Sequence, residues 1–249
     1  MGRWRKSLGR LSLVLAALTV LSPAQASDLS NSEILRNFDV IAFHNEVRRV
    51  TNPRVTKWTQ PIRAYKQLNV IVKPRVEAFL DRHMERLAEV TGLEIDFVGS
   101  SGEANFLIIL TRRRDYLRTA LKHITPGKKG VPAGIVRRLR NTNCLGVFSV
   151  ERSSGGIERA VVVIPVDHAR SRGILNRCIV EETTQAMGLP NDSDDVNPSV
   201  FNDRSRLKDL SSHDLLLLRL LYHPDLPAGM PRREALATAA RILPTMRRD

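Results

Sequence analysis

The sequence predicts an α+β fold, and three observations carry that prediction. A strongly amphipathic helix begins at Pro74 and stops at Gly92, and a strand apolar enough to be central runs through Asn105–Leu110. Short strand-like segments then precede a second helix that ends at Gly188, so strands and helices follow one another without a repeat.

At the start, Arg3, Arg5, Lys6 and Arg10 precede an apolar run from Leu11 to Leu21, followed by Ala24-Gln25-Ala26. This is the layout of a secretory signal peptide cleaved after Ala26, the alternative being an uncleaved anchor. The run is 11 residues long, short of the roughly 20 needed to span a bilayer. The expectation is therefore an exported chain, periplasmic or secreted, with no transmembrane helix after cleavage. Residues 27–249 then remain, enough for one substantial core. They divide into a helical extension (27–56), a main domain (57–230) and a basic C-terminal helix (231–249).

From Ser32 to Val50, Ile34, Leu35, Phe38, Ile41, Ala42 and Val47 recur at helical spacing, with Asn31 and Ser32 as candidate caps. Trp58–Gln67 reads as an edge-like strand because Pro61 lies within it. In the Pro74 helix, Val76, Phe79, Leu80, Met84, Leu87, Ala88 and Val90 form one broad apolar face. Glu94–Val98 and Asn105–Leu110 follow as strands, the second apolar enough to be central.

Between Arg112 and Arg140 the chain carries ten basic residues against one acid, Asp115. The whole sequence has a formal charge of +13; without its first 26 residues it has 35 basic and 26 acidic residues, or +9. This segment alone accounts for that excess. Pro126-Gly127 and Pro132 break it into two short helices or loops. Outside the cytoplasm such a surface suits an anionic envelope polymer or a lipid surface. Nucleic acid is disfavoured, since Tyr116 is its one aromatic residue. The alternative is a solvated basic excursion without a specific partner.

Strands resume at Leu145–Val150 and Ala160–Val166, joined by Ser153-Ser154-Gly155-Gly156 as a hairpin-like turn. A helix then runs from about Ala169 or Gly173 to Met187. The two cysteines, Cys144 and Cys178, are expected to form one disulfide in an oxidising compartment, tying this helix to the strand near Cys144. Two buried free thiols are the alternative. After a polar loop, Ser211-Ser212-His213-Asp214 is a capping-box pattern opening the Leu215–Tyr222 helix, which is too short to span a membrane and reads as core. Pro231 begins a last basic helix expected to pack loosely.

The segment Cys178–Asp192 carries the chemistry. It resembles the zinc helix of metzincin peptidases, particularly matrixins, whose HExxHxxGxxH motif sets two imidazoles at i and i+4 on one helix face. Glu181 stands at the first histidine, Glu182 at the general base, Gln185 at the second histidine, Gly188 at the turning glycine and Asn191 at the third ligand, with Asp192 beside it. Asn197–Asp203 resembles the Met-turn of that clan with Phe201 in place of methionine, and the Leu210–Tyr222 segment resembles the helix that follows. The resemblance spans roughly Trp58–Tyr222 and implies a mixed sheet with a long backing helix and an active-site-type helix. Val180–Leu189 also resembles an uncharacterised bacterial family of exported domains.

One carboxylate and two amides are hard ligands that bind zinc weakly, so no resident cofactor is expected; the alternative is an unidentified divalent cation. None of the six histidines stands at ligand spacing from another. Glu181 and Glu182 point about 100° apart, so Glu182 as a general base needs a second carboxylate such as Asp192 or Asp203 across a cleft. The loop Asn191–Asp195 lacks the glycine and terminal glutamate of an EF-hand calcium loop. The leading expectation is that Glu181, Gln185 and Asn191, with Asp192, Asn202 and Asp203 nearby, form a polar network replacing the metal. A cleft so altered retains an edge strand able to bind an extended peptide or protein partner. A hydrolase using Glu182 is the alternative.

Overall fold

The computed structural model describes residues 29–45, 50–51, 53–124, 131 and 133–248. The stretch expected to be a signal peptide, the Pro126-Gly127 and Pro132 breaks, and Lys128 and Lys129 lie outside them. The first helix, α1 (Asn31–Phe43), is capped one residue earlier than expected, by a Ser30–Glu33 capping box. It ends at Phe43 rather than near Val50 because His44 turns extended and opens a two-residue ladder, β1 (His44–Asn45) with β2 (Val50–Thr51).

Five strands form the main sheet: β3 (Ile62–Leu68), β4 (Ile95–Phe97), β5 (Phe106–Thr111), β6 (Leu145–Val150) and β7 (Ile157–Pro165), in the order β4-β3-β5-β7-β6. β4, β3, β5 and β7 are parallel, and β6 runs antiparallel to β7 at one edge. The fold is α+β. β3 is an inner strand, not an edge. Pro61 precedes its first residue and removes no ladder bond, while Ile62 N–H already donates to Glu94 O at 2.9 Å.

Alternation along β5 explains the two cores. Phe106, Ile108 and Leu110 face the larger core, and Leu107 and Ile109 face a smaller one. The larger core is closed by α2 (Pro74–Thr91), which buries Leu80, Met84 and Leu87 and terminates at Gly92 with φ +71°. On the other face lie α3 (Arg113–Ile124) and α4 (Ala133–Asn141), the two pieces of the basic segment, anchored by Tyr116, Ala120 and Leu139.

The helix expected to start at Ala169 or Gly173 is two helices, α5 (Val166–Ser171) and α6 (Leu175–Gln185), divided at Gly173 where φ is +70°. α7 (Ser212–Leu221) has the Ser211–Asp214 capping box and buries Leu217, Leu218, Leu220 and Leu221. The last helix, α8 (Arg232–Met246), does not pack loosely. Small Ala235 and Ala239 let it approach the core beside α1, where Arg232 grips Asp39 through two bonds of 2.6 Å. Among the described residues no helix is long and apolar enough to cross a membrane.

Candidate functional site in helix α6

Every residue from Cys178 to Gln185 is buried, so the polar side chains of α6 must find partners within the protein. Its position is fixed first against β6. Cys144 and Cys178 are joined by a disulfide with Cα atoms 5.9 Å apart. One helical turn on, a Cβ added to Gly146 would lie 2.6 Å from Glu182 O and 3.1 Å from Glu182 Oε2. Two steps along a strand match one turn of a helix, so Cys144 and Gly146 meet Cys178 and Glu182 in register. Only a residue without a side chain permits that approach. Glu182 is therefore pressed against the edge strand.

Glu181 faces elsewhere. Its Oε2 accepts from Arg177 Nε at 3.1 Å, one turn back on the same helix. Arg177 also donates to Asp203 through Nη2 to Oδ1 (2.9 Å) and Nη1 to the backbone oxygen (2.9 Å). Burial works against the guanidinium, but the Glu181 and Asp203 carboxylates outweigh it and hold its pKa above the ordinary arginine value. Gln185 Nε2 donates to Asp192 Oδ1 at 2.6 Å. Carboxylate oxygens of Glu181, Asp192 and Asp203 all come within 4.8 Å of one another.

Asn191 is not part of this network. Its amide donates to Val40 O at the end of α1, 3.1 Å away, and Asp192 takes the place expected for it. The rest of the acid loop is also divided, with Asp194 paired to Arg204. Asn202 is a loop clamp: its amide donates to Asp194 O and Val196 O, and its oxygen accepts from Arg204 N–H.

Beneath the site, buried Asp214 accepts from Ser199 Oγ (2.6 Å), Val200 N–H (3.2 Å) and both Ser211 N–H and Oγ. Burial raises its pKa, and these four donors oppose the rise. They pin the Ser199–Phe201 turn to α7, with Phe201 fully buried. His83 from α2 lies against Thr184 at 3.4 Å. Beyond the helix end, Gly188 at φ +112° passes Thr56 so closely that a Cβ would fall 2.2 Å from Thr56 O. Trp58 Nε1 donates to Ala186 O (2.9 Å) and Tyr222 Oη to Met187 O (2.8 Å), closing the last turn of the site.

This donor set does not suit zinc. A guanidinium already lies against two of the three convergent carboxylates, Gln185 presents its nitrogen to the third, and Asn191 is turned away. Arg177 is not among the residues the sequence singles out, although Arg177 and Glu181 at i and i+4 are a legible ion-pair spacing.

A family model described as "Protein of unknown function (DUF2927)" matches residues 31–241. The chain belongs to this family. No curated protein matches it.

Proposed function

We propose that this family member is an exported envelope protein whose metzincin-like frame serves as a non-catalytic scaffold for an extended peptide or protein partner. What supports the frame is the order strand, helix, two strands, then two strands and the polar helix, with that helix held against an antiparallel edge. What supports loss of metal chemistry is one observation: Arg177 reaches both Glu181 and Asp203, supplying a guanidinium where a metal peptidase needs a metal ion with an open coordination position. The partner's place is β6, whose outer edge pairs with no strand among the described residues and so leaves main-chain donors and acceptors for a peptide.

Metal analysis and a peptidase assay of the wild type and Glu182→Gln test this reading together. The expected result is no stoichiometric metal and no activity in either protein. Stoichiometric zinc, with activity abolished by Glu182→Gln, overturns it. A second measurement isolates Arg177: calcium or manganese leaves the wild-type melting temperature unchanged but raises that of Arg177→Ala, in which Glu181 and Asp203 lose their guanidinium and face a hard cation beside Asp192.

The convergence of Glu181, Asp192 and Asp203 favours a second reading, a hydrolase that uses Glu182 as base with an unusual divalent ion. Metal-dependent stabilisation of the wild type itself selects that reading.

A further inference from the structure

The order of the sheet reverses between β3 and β5. The chain leaves β3 through α2 for β4 on one side, then returns to β5 and continues to β6 and β7 on the other. In open sheets of parallel strands such a reversal opens a crevice beyond the carboxyl ends of the strands. A groove of about 440 Å³ lies at this carboxyl end of the sheet, beside the reversal, lined by the segments that follow β3 and β7 and by none that follows β5, within the size range of small-ligand sites.

Its lining is one-sided in charge. Lys73 and Arg75 come from the start of α2, Arg82 from its middle, Arg170 from α5, and Lys208 from the loop before α7, and no acidic residue lines the groove. All five cations are exposed, and none has an ion-pair partner among the described residues. Lys66 and Arg86, on or beside the same helix, do have partners, Asp81 and Glu89. Between the cations the surface is apolar, made by Val76, Phe79, Val166 and Leu175. Helices α2 and α6 both begin at the groove without a side-chain cap, so their positive ends add to the same field.

We propose that this groove binds a multiply charged phosphate group carried on an apolar body. A lone carboxylate neutralises one charge in five, whereas a phosphate monoester brings up to about two charges and three acceptor oxygens that several cations share. The apolar surface between the cations takes the uncharged part of the ligand. The proposal stands apart from the pseudo-peptidase reading, since it uses none of the residues around Glu181. The ligand's source is either a membrane lipid or a free phosphate ester.

Calorimetric titration of the purified protein with dihexanoyl phosphatidic acid, below its micellar concentration and at physiological salt, tests the proposal. Dihexanoyl phosphatidylcholine is the zwitterionic control. One saturable site for the first and none for the second is expected. Arg75→Ala/Arg82→Ala lowers the affinity at least about tenfold, the scale of one lost charged hydrogen bond. Phe79→Ala weakens the amphiphile but leaves the weaker binding of inorganic phosphate unchanged. Arg137→Ala/Arg140→Ala, on the opposite face of the sheet, changes neither. Arg75 and Arg82 are both exposed, so an unchanged melting temperature separates loss of the site from loss of the fold.

Absence of saturable binding, equal binding of the control, or equal loss from the Arg137/Arg140 pair overturns the proposal. Sedimentation with phosphatidic acid–phosphatidylcholine vesicles, lost in Arg75→Ala/Arg82→Ala, assigns the source to a membrane. Binding of the soluble amphiphile alone assigns it to a free ester.

Discussion

Two residues next to the polar helix have consequences that do not depend on what the protein binds. His83 is enclosed between α2 and α6, and burial drives its pKa down to about 4, with Asp209 and the Val180 backbone opposing the fall. The folded protein therefore binds this proton more weakly than the unfolded chain does. Its contribution to stability is complete above pH 6.5 and is lost as the pH falls toward about 4. The drop amounts to about 3 kcal/mol. Urea unfolding between pH 7 and 4 measures it, and His83→Gln flattens the slope whatever it does to stability at pH 7. Gly188 acts through geometry alone. Gly188→Ala adds a Cβ 2.2 Å from Thr56 O at a backbone angle of +112°, at a cost of about 3–5 kcal/mol from strain and overpacking combined. A shift of the urea midpoint no larger than that of an exposed Gly99→Ala control contradicts this account.

At the scale of elements, β6 is held to the sheet by β7 alone and to α6 by the disulfide and the Gly146 contact. The bridge closes a loop with a sequence separation of 34, for which loop-closure entropy predicts about 3–4 kcal/mol of stabilisation. Cys144→Ala/Cys178→Ala should lose that amount, and hydrogen exchange should quicken at the amides of β6 far more than at those of central β5. Uniform quickening across both strands means that the bridge stabilises the whole domain and does not specifically clamp its edge. The elements with clear periodicity are legible in the sequence: α2, with Pro74 and Gly92 marking its ends, β5 as an apolar run, and α7 from its capping box. The split between α5 and α6 was less so, because Gly173 could equally begin a helix or interrupt one. The inner position of β3 was hidden, since Pro61 marks an edge only if it lies within the ladder. In the site, Glu181, Gln185 and Asp203 were legible from spacing and resemblance. Arg177 lay one turn outside the quoted motif, and the rotation of Asn191 toward Val40 depends on where α1 docks, which no local pattern encodes.

Over the whole molecule, charge is divided between two surfaces that the sheet keeps apart. Three of the groove cations stand within Lys73–Arg82, but Arg170 and Lys208 join them only through the fold, so no sequence window displays all five. The cations of α3 and α4 are contiguous in sequence, and both helices spend their apolar residues on the smaller core, leaving Arg112, Arg114, Arg118, Lys122, Arg137 and Arg140 exposed on the outer side. Arg113 is partly an exception, since it donates to the backbone oxygens of Thr142 and Arg140 and holds α3 to the end of α4. Exposed charges of one sign attract a polyanion over a distance set by screening, which is about 10 Å at 0.1 M salt and about 3 Å at 1 M. Retention on an immobilised anionic polysaccharide should therefore fall steeply between those salt concentrations. Replacing Arg114, Arg118, Arg137 and Arg140 by Gln should reproduce most of that loss at low salt, with no change in melting temperature. Arg75→Ala/Arg82→Ala should leave the same retention nearly intact, because a pocket-sized site contributes little to a polymer spread over a helical face. If the groove variant loses as much as the four-residue variant, the two basic regions form one continuous polyanion surface, and the division of charge by the sheet has no functional consequence.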